Sequence, residues 1–98
     1  MEVQGFEWDD GNRKKCQSHG LSLEEIESVC FNQPRVLVNA KHISDEERFH
    51  AVGLTEDGRH VYIVFTFRKS TDGTLIRPIS ARFMHQKEID HYEKQTKT

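Results

Sequence analysis

The chain has 98 residues and is expected to form a single domain over residues 1–98. Its hydrophobic content is 35% and its mean hydropathy is -0.75, enough for one modest core. No apolar run approaches the roughly 20 residues of a membrane helix, and no signal peptide begins the chain, so a cytoplasmic protein without membrane contact is expected. The net charge of -2 argues against nucleic-acid binding, but residues 48–98 hold nine Lys/Arg against six Asp/Glu, whereas residues 1–47 hold five against ten. An acidic scaffold with a basic face fits this asymmetry, and so does solvated charge.

Cysteine and histidine spacing gives no sign of a metal site. Cys16 and Cys30 stand too far apart for a Cys-x2-Cys pair and are expected to be plain thiols. The chain has six histidines, but none stands in a His-x3-His spacing. We therefore expect no metal and no other cofactor.

The first third of the chain predicts a short strand and two helices. Gly5 to Trp8 alternates and reads as a strand, and Asp9 can N-cap a helix from Asp10 to about Ser18 that Gly20 ends. Ser22 and Glu25 form a capping box for the second helix. The apolar stripe of that helix is Leu23, Ile26, Val29 and Cys30.

A short edge strand and a meander follow. Arg35 to Val38 is expected to be an edge strand, and residues 39–46 a polar loop. Three alternating runs come next: Glu47 to Leu54, Arg59 to Arg68, and Leu75 to Phe83. Asp57-Gly58 and Asp72-Gly73 stand between them, and Asp-Gly between alternating runs is a strong hairpin signal. A last helix is expected to about Lys94, with Ile89 and Tyr92 facing inward, before a frayed tail over residues 95–98.

This order predicts an α+β fold, with a small antiparallel meander sheet of three to five strands, two N-terminal helices and one C-terminal helix. In the middle strand Val61, Ile63, Phe65 and Phe67 share the face that should pack on helices, and Tyr62, Val64, Thr66 and Arg68 share the other. If Asp72-Gly73 is a two-residue turn, Arg68 lies opposite Arg77. A regular strand would place Arg82 on the opposite face from Arg77. A bulge at Pro78 would return Arg82 to the face of Arg68, and the sequence leaves both arrangements open.

An ordered set of short motifs resembles the BrnT family of toxins from type II toxin–antitoxin systems. The motifs are Phe6-Glu7-Trp8-Asp9, His19-Gly20 with Ser22, Glu46-Glu47-Arg48-Phe49, Ile76-Arg77 with Ile79-Ser80-Ala81-Arg82, and Glu88 with Tyr92. The resemblance runs from Phe6 to about Glu93. It implies a RelE/ParE-like fold and a metal-independent ribonuclease that inhibits translation. It also implies a BrnA-like antitoxin partner with a DNA-binding element, and operator DNA contacted only through the complex.

Two positions depart from the family pattern. Ser18 stands where the family usually has a basic residue, and Pro78 stands where an aliphatic residue is common. The first departure bears on a basic contact, and the second on the reach of Arg82.

Metal-free RNA cleavage needs a base for the 2′-hydroxyl, cations for the phosphorane and an acid for the 5′-oxygen. Arginine suits the second role because its fork matches phosphate oxygens and keeps its charge. The candidate catalytic residues are Arg68, Arg77, Arg82, Glu88 and Tyr92. The candidate RNA-binding residues are Arg48, His50, His85 and Lys87, of which the two histidines are further candidates for acid or base.

Structural roles compete with these assignments. Strand arginines are more often solvated or paired with carboxylates than catalytic, Tyr92 fits a packing role, and Glu88 fits an exposed helix charge. Two other function hypotheses stay open as well. One is a non-catalytic module of toxin fold that binds only an antitoxin or acts as a co-repressor. The other is nucleic-acid binding without catalysis, which would weaken steeply with salt.

Overall fold

The computed structural model describes residues 3–32, 34–38 and 47–96. In chain order the elements are β1 (Gly5–Phe6), α1 (Asp10–Gln17), α2 (Leu23–Phe31), β2 (Arg35–Val38), β3 (Phe49–Leu54), β4 (His60–Ser70), β5 (Gly73–Phe83) and α3 (Gln86–Thr96). The predicted α+β class and the order of helices and strands are confirmed. The predicted polar loop at 39–46, His42 and Glu46 lie outside the described residues.

All five strands form one sheet in the order β1-β5-β4-β3-β2. β2, β3, β4 and β5 are antiparallel neighbours, the two Asp-Gly signals predict the β3–β4 and β4–β5 pairs, and β2 is the predicted edge strand. The sheet is mixed rather than wholly antiparallel, because β1 runs parallel to β5, with Gly5 opposite Leu75. The chain leaves β1 through α1 and α2 and returns at the far edge, so no hairpin ties the direction of β1 to that of its neighbour.

Both N-terminal helices begin at the predicted caps. The Asp9 side chain accepts a hydrogen bond from the Asn12 backbone, and Ser22 and Glu25 form the reciprocal capping box. Gly20 follows α1 with a φ of 94°, a left-handed conformation that glycine adopts at little cost. Ser18, one of the two departures from the family pattern, caps the end of α1 by donating its hydroxyl to the Lys15 carbonyl at 2.7 Å.

One face of the sheet packs on α1 and α2 to form the core. Val61, Ile63 and Phe65 of β4 lie on this face, as predicted, and all three are buried. The helices contribute Cys16, Ile26 and Val29, and Leu21 comes from the loop between them. Burial raises the pKa of the Cys16 thiol to about 11 and that of Cys30 to about 12, so both are the unreactive free thiols expected from their spacing.

The register of β4 and β5 differs from the predicted one. Ser70 pairs with Gly73, so the loop is Thr71–Asp72, and Arg68 lies opposite Leu75 rather than Arg77. Gly73 belongs to the strand, where a Cβ would stand 2.6 Å from Cγ of Gln4. This glycine therefore permits the close approach of the segment that leads into β1. The shift of two positions preserves the face, so Arg68 and Arg77 remain on the same side of the sheet.

A β-bulge resolves the position of Arg82. Val64 pairs with Ser80 and Phe65 with Pro78, which leaves Ile79 as an extra residue in β5. Alternation restarts after the bulge, and Arg82 lies opposite Tyr62. Arg82 is therefore on the face of Arg68 and Arg77.

The Asn12 side chain holds the backbone next to this bulge. It is 6% exposed, and its Nδ2 donates to the carbonyl oxygens of Glu7 at 3.0 Å and Pro78 at 2.9 Å. Its Oδ1 accepts from the Asp9 backbone at 2.7 Å. A single buried amide thus joins the end of β1, the start of α1 and the bulge.

We name the second face of the sheet, which carries Tyr62, Arg68, Arg77 and Arg82, the open face. Neither α1 nor α2 covers it, because both pack on the other side. α3 borders one end of it through side chains that meet those of β4 and β5. Ile89 and Tyr92 of α3, which were expected to face inward, are half-buried.

Candidate active site on the open sheet face

The three predicted catalytic arginines divide into two groups along the open face. Arg82 lies opposite Tyr62, whereas Arg77 lies opposite Thr66 and Arg68 lies two positions further along β4. Six residues of extended strand separate Tyr62 from Arg68, a distance of about 20 Å. One phosphate group therefore cannot contact both Arg82 and Arg68.

The Arg77 group is an ion-pair network that ties β1 to β5. The guanidinium of Arg77 donates to Oε1 of Glu7 at 3.0 Å and lies 2.8 Å from Oδ2 of Asp9. Arg68 approaches the same Glu7 oxygen, with Nε at 3.5 Å. The hydrogen bond to Asp9 raises the pKa of Arg77, and the pKa of Asp9 is lowered by its backbone hydrogen bond from Asn12 and then by Arg77. These ion pairs hold the residues that follow β1 against β5, which is a structural role.

Arg82 forms a two-pronged contact with Glu88. Its two terminal nitrogens donate to the two carboxylate oxygens at 2.7 and 2.8 Å, which joins β5 to the first turn of α3. Oε1 of Glu88 also accepts the backbone N–H of His85 at 3.0 Å, the residue before the helix. Glu88 therefore caps the N-terminus of α3 and fixes the Arg82 fork. The Arg82 hydrogen bond, followed by the His85 backbone, lowers the pKa of Glu88 to about 2.

A phenol–imidazole pair lies directly beside Arg82. The Arg82 guanidinium carbon is 4.9 Å from the centre of the Tyr62 ring, and the Tyr62 hydroxyl is hydrogen-bonded to Nδ1 of His50. Partial burial lowers the pKa of His50 and raises that of Tyr62. Near neutral pH the pair is therefore a neutral imidazole and a neutral phenol.

The other predicted residues lie around this group or apart from it. His85 and Lys87 are exposed at the start of α3, next to Glu88. Tyr92 packs its ring edge-on against His60, with centroids 6.1 Å apart. Arg48 immediately precedes β3, and its buried Nε has no hydrogen-bond partner among the residues that the structure describes.

Tyr62 is the residue of this group to which the sequence assigned no role. Alternation along β4 places it on the open face, but its contact with Arg82 requires the bulge at Ile79. Its contact with His50 requires the register of β3 on β4, where Val52 lies opposite Tyr62 and His50 opposite Val64. An alternating tyrosine on the arginine-bearing face was the available signal, and it is a weak one.

We use the name Arg82 cluster for His50, Tyr62, Arg82 and Glu88. It combines a fixed, permanently charged fork with a hydroxyl hydrogen-bonded to an imidazole, next to solvent. Such an arrangement can transfer a proton and stabilise negative charge on a phosphate.

Among residues 3–32, 34–38 and 47–96, no three His, Cys, Asp or Glu side chains are grouped as metal ligands. Over the same ranges, no helix is long and apolar enough to cross a membrane.

Fold and cluster together define a small α+β protein with an arginine-bearing sheet face suited to phosphodiester chemistry. The profile of the family "Ribonuclease toxin, BrnT, of type II toxin-antitoxin system" matches residues 8–88. The chain belongs to this family, whose members are ribonuclease toxins and whose systems pair a toxin with an antitoxin protein. Comparison with curated proteins gives no match.

The Glu88 contact generates a pH prediction. The depressed pKa of about 2, against an ordinary 4.5, means that ionised Glu88 stabilises the fold at pH 6 and that this contribution is lost as the pH falls through the folded-state value. Glu88→Gln should therefore be less stable than the native chain at pH 6 and should approach it in stability near pH 2. Urea unfolding at both pH values measures the difference. A gap of the same size at both values would contradict the assignment.

Proposed function

We propose that the protein is a metal-independent endoribonuclease that cleaves RNA at the Arg82 cluster. The observation that carries the proposal is the position of the Arg82 fork beside the hydrogen-bonded Tyr62–His50 pair. These side chains can supply the base and the cation that RNA transesterification needs. The match to a family of ribonuclease toxins over residues 8–88 supports a ribonuclease activity for this chain.

In the proposed first step, the 2′-oxygen of the substrate attacks the adjacent phosphorus. The 2′-hydroxyl proton passes to the Tyr62 oxygen as Tyr62 passes its own proton to Nδ1 of His50. The pKa of His50 is lowered by burial, so the imidazole is unprotonated and ready to accept that proton near neutral pH. The pKa of Tyr62 is raised, so the phenol depends on His50 for this transfer instead of ionising on its own.

Arg82 stabilises the phosphorane, and an exposed group protonates the leaving oxygen. Glu88 holds the Arg82 fork in place, so little reorganisation accompanies the development of charge. Cleavage of the bond to the 5′-oxygen gives a 2′,3′-cyclic phosphate, and the 5′-oxygen takes a proton from His85, which is exposed next to Glu88. Lys87 contacts neighbouring phosphates from the same end of α3.

The remaining predicted residues act away from the reacting phosphate in this proposal. Arg77, together with Glu7 and Asp9, is a positioning residue that keeps β1 on β5. Arg68, about 20 Å from the Arg82 cluster, contacts the RNA strand further along the open face. Arg48, which immediately precedes β3, contributes a further positive charge that attracts the RNA.

Removal of Arg82 provides the test of the proposed activity. Purified native protein should cleave a generic RNA in the presence of EDTA, and Arg82→Ala should lower kcat about 100- to 1,000-fold, the cost of removing one transition-state donor. Arg82→Lys keeps a cation for Glu88 but loses the fork, so an intermediate rate is expected. Arg13→Ala, which removes an exposed arginine of α1, is the matched control and should cleave at the native rate.

Thermal unfolding of the three variants shows whether each is folded. Native RNA cleavage by folded Arg82→Ala would place the site elsewhere. Cleavage that EDTA abolishes would contradict metal independence.

A second candidate is a non-catalytic toxin-fold module that binds its antitoxin or acts as a co-repressor. It is favoured by the engagement of the arginines: Arg77 and Arg68 contact Glu7, and Arg82 contacts Glu88. Intact RNA after incubation with folded, antitoxin-free protein would support this candidate over the ribonuclease.

We further propose that the toxin inhibits translation and that a BrnA-like antitoxin with a DNA-binding element neutralises it. An acidic segment of the antitoxin would cover the open face and compete with RNA for Arg68 and Arg82. Operator DNA would then be contacted through the antitoxin part of the complex.

Expression of this chain alone should arrest growth and stop protein synthesis, and co-expression of the antitoxin should restore both. The doubly substituted Arg68→Ala/Arg82→Ala chain should not arrest growth and should bind the antitoxin more weakly, because two charges of the covered face are lost. Growth curves, pulse labelling and co-purification measure these effects. Unchanged antitoxin binding by the double variant would show that neutralisation works at another surface.

A further inference from the structure

A cavity of about 370 Å³ opens next to the Arg82 cluster, between α3 and the β2–β3 side of the open face. It lies within the range of roughly 300–1,000 Å³ in which proteins bind small ligands. The lining residues on which the argument rests are Arg35, Val52, Leu54, His60, Tyr92 and Glu93.

Three structural links place this cavity beside the reacting groups of the Arg82 cluster. Val52, in its wall, is the cross-strand partner of Tyr62. His60, also in its wall, precedes Tyr62 by two residues in β4 and shares its face, a step of about 7 Å. Tyr92 is four residues after Glu88, so the two side chains lie on the same side of α3. A nucleotide whose phosphate contacts Arg82 can therefore reach the cavity with its base.

The walls have the chemistry of a base-binding site. The Tyr92 ring packs edge-on against His60, whose Nε2 is 2.8 Å from Oε1 of Glu93. Apolar surface comes from the β3 side, where Val52 and Leu54 line the cavity and Leu54 is 42% exposed. Tyr92 and the apolar side chains of β3 line the same cavity, and nucleobases bind to proteins by stacking on aromatic rings.

We propose that this cavity is the nucleobase subsite of the ribonuclease, and that it holds a base adjoining the phosphate bound at Arg82. The inference rests on the proposed function and assigns Tyr92 to base stacking rather than to proton transfer. The polar lining selects the base. Guanine presents two acceptors, O6 and N7, to an arginine such as Arg35, and it presents donors to a carboxylate such as Glu93. Guanine is therefore the expected occupant.

A binding experiment tests the cavity without requiring cleavage. The 15N-labelled protein is titrated separately with the four nucleoside 5′-monophosphates, and backbone amide shifts are followed. Guanosine monophosphate should shift the amides of residues 52–54 and 92–93 at lower concentration than the other three. Shifts confined to other surfaces, or no shifts with any of the four, would overturn the proposal.

Substitutions at Tyr92 separate stacking from catalysis. Tyr92→Phe keeps the ring and should keep the base preference, whereas Tyr92→Ala should raise KM about 5- to 100-fold and flatten the preference. Asp90→Ala, at an exposed position of the same helix, is the matched control and should behave as native. Loss of kcat in Tyr92→Phe would return Tyr92 to a catalytic role and overturn the assignment.

A second variant guards against loss of α3 structure in Tyr92→Ala. Leu54→Trp places a large side chain at a partly exposed position and should block the cavity, abolishing the guanosine monophosphate shifts while the remaining spectrum stays native. Unaltered shifts in this variant would contradict the subsite. The two proposals fail separately. Shifts in the cavity without RNA cleavage would refute the ribonuclease but keep the binding site, and RNA cleavage without those shifts would refute only the subsite.

Discussion

The extra residue in β5 at Ile79 determines which side of the sheet carries the charge of Arg82. Without the bulge, alternation would turn the guanidinium of Arg82 into the face where Ile63 and Phe65 are buried, at the cost of desolvating a permanent charge. Pro78 beside the bulge is fully buried, and the Asn12 amide donates a hydrogen bond to its carbonyl. The proline that departs from the family pattern is thus compatible with an Arg82 on the open face.

Carboxylates hold the arginines of this face in fixed positions, with different consequences at its two ends. At the β1 end, Glu7 and Asp9 bind Arg77 and secure an edge strand of only two residues. At the α3 end, the Arg82–Glu88 contact joins a helix to the sheet, and none of the α3 side chains at positions 86–94 is fully buried. The position of α3 therefore depends on polar contacts, including the contact of His60 with Glu93. The helix that borders the cavity is attached by the same residue that orients the proposed catalytic arginine.

Local signals in the sequence predicted most of the fold, because caps and turns act through neighbouring residues. Asp9, Ser22 with Glu25, and the Asp-Gly pairs marked both N-terminal helices and both hairpins. Features that depend on distant contacts were not predictable. The parallel pairing of β1 arises from a crossover, and the β4–β5 register brings Gly73 into the strand next to Gln4. For the candidate site, the shared face of Arg68 and Arg77 was predicted. The separation of Arg68 from Arg82, the proximity of Tyr62 to Arg82 and the tie of Arg77 to Glu7 and Asp9 required the three-dimensional structure.

In the proposed mechanism the hydroxyl of Tyr62, hydrogen-bonded to His50 and beside Arg82, takes part in the chemical step. Tyr62→Phe tests it most directly, because phenylalanine keeps the ring beneath the Arg82 guanidinium and removes only the hydroxyl. Single-turnover cleavage of a short RNA, measured between pH 5 and 8, should be slower by about 100-fold or more in this variant. In the native protein, protonation of His50 should slow cleavage only below the ordinary histidine pKa of 6.5, because burial lowers the pKa of His50. A native rate in folded Tyr62→Phe would contradict this role of the hydroxyl and mean that another group is the base.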